Sequence, residues 1–122
     1  MSVQEARSSL YYKWTEDEGF ADQMDANLLV IGFLLRPAVI NRTQTSAPST
    51  PADGDAYIVA AAGTTGIFVG REKWFAFYSD EESAWIFIEP KDGQMAVVTS
   101  EGTWGTQIVF KSPDWSTGTA LA

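Results

Sequence analysis

The chain has 122 residues, a formal net charge of −8 and neither cysteine nor histidine. This length suits one domain with a modest core, and the acidic balance argues against nucleic acid or an anionic membrane surface as a partner. The missing residue types exclude disulfides, zinc–thiolate sites, thiol nucleophiles and a Ser-His-Asp triad. We therefore expect a protein that is not an enzyme and that holds no metal ion or cofactor.

One long helix is predicted over residues 15–35. Thr15 and Glu18 form a capping box at its start, and Pro37 ends it because the residue before a proline avoids the helical conformation. Apolar residues recur along the helix at steps of four, four, three and four, which makes one continuous stripe. The stripe consists of Phe20, Met24, Leu28, Ile31 and Leu35.

The second half of this helix is apolar on nearly every face, so all of its sides need to be covered. The stripe suits helices that pack around a symmetry axis, and we expect its five residues to form an oligomer interface. The alternative is that the β-region wraps the end of the helix within one chain. The longest apolar run, residues 28–35, is about half of the length that spans a bilayer, and the N-terminus shows no signal-peptide core. We expect a soluble protein that is not conventionally secreted.

The β-region follows an extended arm, residues 38–45, and a connector rich in Pro, Ser and Thr. Short aromatic or β-branched runs alternate there with turn residues, which predicts antiparallel strands in a meander or a partly open barrel. The predicted strands are 56–60, 67–70, 74–79, 84–89, 95–99 and 103–110. The predicted fold class is thus α+β.

Three segments are predicted. Residues 1–45 form a helical attachment and oligomerisation segment, residues 46–111 form the β-domain, and residues 112–122 form a flexible tail that Trp115 pins to the body.

Two sets of acidic residues are candidates for a metal-binding or catalytic site. Asp53 and Asp55 offer only two of the six or more oxygens that calcium needs, and Asp is a common turn residue, so a turn is favoured. A glycosidase needs two carboxylates that face each other across a cleft. The acidic residues around the predicted hairpin favour a solvated tip instead: Asp80, Glu81, Glu82 and Glu89.

Four aromatic residues of the β-region admit two interpretations. Exposed Trp and Tyr rings can stack on the apolar faces of sugars, which would make a glycan or partner surface. The same residues can also fill the core of a small sheet, and for a single Trp the core is favoured. The four residues are Trp74, Tyr78, Trp85 and Trp104.

Residues 20–110 carry an ordered set of motifs. The helix contains MDANLL, the tryptophan-bearing strand pair reads KWFAFYSDEESAWIFIEPKDG, and the last strands begin with SEGTWG. The motif P-x-x-G-D-x-Y-[IV]-V is present as Pro51, Gly54, Asp55, Tyr57, Ile58 and Val59, and P-[KR]-[DE]-G as Pro90, Lys91, Asp92 and Gly93. In this order and spacing, the chain resembles an uncharacterised domain family of structural proteins from tailed phages, prophages and gene transfer agents of bacteria.

The resemblance implies a virion structural protein of the head-fibre, head-spike or tail-fibre type, without catalytic residues and commonly trimeric. It implies three kinds of partner: further copies of the chain, the capsid, portal or tail proteins, and host-surface glycans. The implied location is the virion, after synthesis in the cytoplasm of the infected bacterium. The alternative hypothesis is a carbohydrate-binding module for host-surface glycans.

Overall fold

A computed structural model describes residues 3–4, 7, 10–12 and 20–121. The chain divides into two compact units, Met1–Pro37 and Ala38–Ala122. The first unit holds one helix, and the second holds mostly antiparallel strands in open sheets. The predicted α+β class is therefore confirmed, and the sheets of the described residues do not close into a barrel.

The first unit consists of a two-stranded antiparallel sheet, β1 (Val3–Gln4) with β2 (Tyr11–Tyr12), and the helix α1 (Phe20–Leu35). Strong helix formers such as Leu, Ala and Met dominate α1, and the helix ends at the predicted residue. The predicted capping box lies at residues 15–18, outside the described residues.

The second unit contains a three-stranded and a five-stranded sheet. The three-stranded sheet has the order β4 (Ala56–Ile58), β5 (Phe75–Ser79), β6 (Ala84–Ile88). In the other sheet, β8 (Thr106–Lys111) pairs with β7 (Met95–Val98), β9 (Asp114–Trp115) and β10 (Thr119–Ala120), and β7 also pairs with β3 (Ala38–Val39). The hairpin strands follow the predicted runs because each run is bounded by turn residues.

The arm that follows α1 belongs to both sheets. β3 runs parallel to β7, and the N–H of Thr99 donates to the Val39 carbonyl at 2.8 Å. One residue later, the N–H of Ile40 donates to the Ala56 carbonyl at 2.7 Å, which joins the arm to β4. These main-chain bonds hold the arm in the β-unit, which agrees with the division of the chain into compact units after Pro37.

The predicted strand at residues 67–70 is wrong. The chain forms a 3₁₀-helix over Gly66–Phe68 instead. The N–H of Phe68 donates to the Thr65 carbonyl at 3.3 Å, and Gly66 has a φ of 62°, which a strand does not accept. The turn buries the Phe68 side chain completely, so an apolar run that resembles a strand supplies a core residue from a loop.

The last segment, predicted as a tail over residues 112–122, contains the short strands β9 and β10 and contacts the sheets through Trp115. The Trp115 ring lies 5.3 Å from the Phe75 ring and 5.2 Å from the Phe110 ring, measured between centroids. Its indole N–H donates to the Lys73 carbonyl at 2.9 Å. Trp115 thus pins this segment to both sheets, as predicted for that residue.

Candidate functional site

One side of α1 is exposed and apolar. Leu28 is 58% exposed and Leu35 is 81% exposed, and Ile31 is exposed as well. At about 100° per residue, these three residues and the half-buried Met24 lie within about 60° of one another around the helix axis. We call Met24, Leu28, Ile31 and Leu35 the helix stripe. The first residue of the predicted interface, Phe20, begins α1, and its side chain lies outside the description.

Within the first unit, α1 is bonded to β2 through Asn27. The Asn27 amide oxygen accepts the N–H of Tyr11 at 2.9 Å, and its amide nitrogen donates to the Tyr11 carbonyl at 2.9 Å. Asn27 is buried at the border of the stripe, and Phe33 is buried on the opposite side of the helix axis. The Asn27 side chain therefore acts like one residue of a paired strand and fixes β2 to the helix. The apolar periodicity of the sequence does not predict this contact, because it describes the helix alone.

An aromatic cluster lies on one face of the three-stranded sheet. The half-buried Trp85 ring lies 5.4 Å from Tyr78, 6.0 Å from Tyr57 and 5.9 Å from Phe68, measured between centroids. The buried Phe68 comes from the 3₁₀-helix and covers the middle of the face. Trp85 and Tyr78 therefore pack on each other and on the core.

The four residues predicted as a glycan or partner surface thus fall into separate places. Tyr78 and Trp85 are neighbours in the aromatic cluster, and Trp74 is half-buried directly before β5. Trp104 lies in the connection between β7 and β8 and is 70% exposed. Of the four, Trp104 is the ring that is free to stack on a ligand.

Arg42 joins three separate parts of the β-unit. Its Nε and Nη2 donate to both carboxylate oxygens of Glu101 at 2.8 Å each. Its Nη1 donates to the Ser116 carbonyl at 2.9 Å, and Nη2 also donates to the Thr117 carbonyl at 2.8 Å. The planar guanidinium suits such forked geometry, so one side chain ties the arm, the β7–β8 connection and the last segment together.

Lys73 makes a second tie to the last segment. Lys73 and Trp74 together lie opposite the single residue Val59, and this two-against-one arrangement is a β-bulge. Lys73 adopts a positive φ of 71° there. Its Nζ donates to the Pro113 carbonyl at 2.9 Å and lies 2.8 Å from Asp114 Oδ1. A glycine usually occupies the positive-φ position of such a bulge. Here a lysine occupies it, and its side chain reaches β9.

Two of the acidic candidate residues, Asp53 and Asp55, accept hydrogen bonds from the main chain of turns. Asp55 Oδ2 accepts the N–H of Ala52 at 3.0 Å, and Asp53 Oδ1 accepts the N–H of Asp80 at 2.8 Å. Glu81, Glu82 and Glu89 are exposed. Across the residues that the structure describes, no group of three or more carboxylates is placed to hold a metal ion.

Three groups have perturbed pKa values. The Thr64 hydroxyl, with the N–H groups of Glu72 and Gly70, lowers the pKa of Glu72 below its ordinary 4.5. The N–H of Ser112 lowers the pKa of Asp92 below its ordinary 3.8. Burial, and then the charge of Asp55, raise the pKa of Tyr57 above its ordinary 10.0. Each shift follows from a hydrogen bond or from packing that shapes a loop or a strand, so none of them identifies an acid or base for catalysis.

The fold and these surfaces define a small α+β domain with an exposed apolar helix stripe. Neither helix of the described residues is long and apolar enough to cross a membrane. Residues 24–116 match the model of the family described as "Protein of unknown function (DUF2793)", so the chain belongs to that family. This match confirms the expected membership of an uncharacterised domain family. No curated protein and no solved structure matches the chain.

Proposed function

We propose that the chain is a structural subunit of a phage virion: a fibre, spike, adaptor or decoration protein on the capsid or tail that assembles as a homotrimer through α1. The observation that carries the proposal is the helix stripe, which leaves Leu28 and Leu35 in water. The phage setting is supported by the motif resemblance of residues 20–110. In this proposal the chain performs no chemistry; it assembles and presents the β-unit.

The spacing of the stripe supports a coiled-coil contact. Steps of four, three and four place Leu28 and Leu35 at heptad position a, and Met24 and Ile31 at position d. Leucine at a with isoleucine at d favours three or four strands over two. Burial of each large apolar side chain contributes about 1.5–3 kcal/mol. Repeated over three chains, this gain is large enough to offset an association cost of about 4–15 kcal/mol.

Sedimentation of purified protein tests the proposed assembly. At low protein concentration we expect wild type to sediment as a trimer, and the double variant Leu28→Glu/Leu35→Glu to lose the trimer while its circular dichroism keeps the helical signal. The matched control is Val69→Glu, because Val69 is also 58% exposed but lies in the β-unit, and we expect it to stay trimeric. A monomeric wild type at high concentration, or a helix variant of wild-type mass, would contradict the proposal. A low-resolution map of the intact particle tests the location, and absence of this chain from the particle would refute the virion role.

The exposure of Trp104 supports a second candidate, a carbohydrate-binding module. The indole projects from a connection whose ends are fixed by β7 and β8, and such a ring can stack on the C–H face of a sugar. Binding to a glycan array should be lost in Trp104→Ala, whose stability should match wild type because the ring has little packing to lose. Flat binding curves for wild type would eliminate this candidate.

A further inference from the structure

The strand β6 is an open edge of the three-stranded sheet. Its only strand partner among the described residues is β5. The opposite edge of that sheet is covered, since Ile58 donates its N–H to the Asn41 carbonyl of the arm at 2.9 Å. In the other sheet, the end strand β10 is only 2 residues long. β6 is therefore a five-residue edge, Ala84–Ile88, that contains neither a charge nor a proline, the features with which proteins usually protect an edge.

The hydrogen-bond pattern shows which main-chain groups of β6 are free. Tyr78 donates its N–H to the Asp55 carbonyl at 2.9 Å, and Val59 donates to the Trp74 carbonyl at 2.9 Å, so the even-numbered residues of β5 bond to β4. The odd-numbered residues of β5 then face β6, where they pair with Ala84, Ile86 and Ile88. The N–H and C=O groups of Trp85 and Phe87 consequently point away from the sheet.

We propose that β6 pairs with β6 of a second copy of the chain, antiparallel and centred on Ile86. In this register Trp85 lies opposite Phe87 of the second copy, and Phe87 lies opposite its Trp85. All outward groups of both residues are then used, in four hydrogen bonds between copies. The contact is isologous, so it closes after two copies, and it is separate from the helix stripe. It joins two three-stranded sheets into one of six strands.

The charges at the two ends of β6 favour the same partner. The turn before the strand is acidic, with Asp80, Glu81 and Glu82. Near its other end lie two cations: Arg71, whose Cζ is 4.2 Å from the centroid of the Phe87 ring, and Lys91, which is 3.8 Å from Glu89. Glu89 and Asp92 lie at that end as well, so its charges nearly cancel. An antiparallel pair keeps the two acidic turns apart and sets each of them beside this nearly neutral end of the other copy. A parallel pair would set like ends together, which costs stability.

Cysteine cross-linking tests the contact and its register. The chain has no cysteine of its own, so an introduced thiol has only its counterpart in the second copy to react with. At Ile86 the two Cα atoms would be about 4.5 Å apart, a non-hydrogen-bonded pair, and a disulfide accepts about 4.4–6.8 Å. The matched control is Ala84→Cys on the same strand, because its counterpart would be displaced by about 13 Å. Under mild oxidation we expect Ile86→Cys to form a covalent dimer at least tenfold faster than Ala84→Cys.

The same experiment in the Leu28→Glu/Leu35→Glu background separates this contact from the helix stripe. We expect the cross-link to persist there, and the uncross-linked helix variant to form dimers at high concentration. Failure of Ile86→Cys to cross-link, or equal cross-linking of both variants, would overturn the proposal. Wild type supplies a check that needs no substitution: amide exchange at Trp85 and Phe87 should slow at least tenfold as protein concentration rises. Fast exchange at both amides at every concentration would also overturn it, and would leave the edge to another extended chain.

Discussion

Replacing Arg42 by glutamine should loosen the last segment from the β-unit. The substitution removes the charge and the forked pair to Glu101, and it shortens the reach to the Ser116 and Thr117 carbonyls. Glutamine keeps a similar stem, so the loss reports on the guanidinium rather than on the removal of packing. We expect the segment that holds β9 and β10 to open more easily, while the aromatic cluster on the other sheet stays intact.

The size of the effect follows from the contacts and their exposure. A hydrogen bond to a charged group contributes about 1.5–3 kcal/mol, but the four bonds of Arg42 share one side chain and do not add. The Arg42 and Glu101 side chains are 23% and 35% exposed, so water replaces part of what is lost. We expect Arg42→Gln to lower the free energy of unfolding by about 2 kcal/mol, and Glu101→Gln by about 1 kcal/mol, since the two carbonyls still hold Arg42.

Urea denaturation followed by tryptophan fluorescence measures both values. Arg42→Lys keeps the charge without the fork, and we expect it to recover less than half of the loss. The matched control is Lys111→Gln, whose ion pair with Asp92 spans 3.5 Å on a lysine that is 84% exposed, and which should change stability by less than about 0.5 kcal/mol. If Arg42→Gln were as mild as Lys111→Gln, the reasoning that this residue ties three segments together would be refuted.

Three further predictions concern single contacts. Gly105→Ala should lower the free energy of unfolding by about 2–4 kcal/mol, because the new Cβ would lie 2.7 Å from Val97 Cγ1 at a φ of 90°. Gly54→Ala is the control: its φ is 84° but the space around it is open, so it should lower the free energy of unfolding by about 1 kcal/mol. Thermal unfolding measures both values, and equal losses would contradict the clash. The pKa values of Glu72 and Asp92 are lowered in the folded state. The stability that these two carboxylates add is therefore present above their ordinary pKa values and is lost as pH falls through the lowered pKa values. The double variant Glu72→Gln/Asp92→Asn should show a smaller fall in melting temperature below about pH 4.5 than wild type, and an equal fall would contradict this. Trp115→Phe should cost about 1 kcal/mol, because it keeps a ring but leaves the Lys73 carbonyl without its indole donor, and amide exchange should localise the loss to the last segment rather than to β5.

The hairpins were predictable from the sequence because their information is local. Successive side chains of β5 point to opposite faces of the sheet and are apolar on both faces. The polar residues 80–83 form the turn that leads directly into β6. Pro90 to Gly93 likewise separates β6 from β7, and Gly93 has a φ of 92° that its turn requires. Where a strand and its partner are joined by one tight turn, the alternation pattern and the turn chemistry suffice to place both.

The sequence predicts an extended arm but not the contacts that hold it, because these contacts depend on residues far away in the chain. Arg42 lies 59 positions from Glu101 and 74 positions from Ser116, and no local periodicity connects such residues. For the same reason, the different exposures of Trp85 and Trp104 were not predictable. Trp85 is half-buried because Phe68 packs on it from a loop whose sequence resembles a strand. Trp104 is 70% exposed in the β7–β8 connection, and its sequence neighbours alone do not distinguish it from Trp85.

The two self-association contacts proposed above depend on particular groups of the two units rather than on total hydrophobicity. The sequence predicted that α1 needs cover on every side, yet Asn27 and Phe33 are buried while Leu28 and Leu35 stay in water. The need for a partner is thus confined to one stripe, and a pair of charged residues there should abolish the contact without harming the fold. At β6, by contrast, the groups that other described residues leave unpaired belong to the main chain of Trp85 and Phe87. Changes of side-chain polarity should therefore weaken that contact only where they add charge at its axis. The two surfaces therefore respond to different substitutions, which allows each to be disrupted while the other is kept.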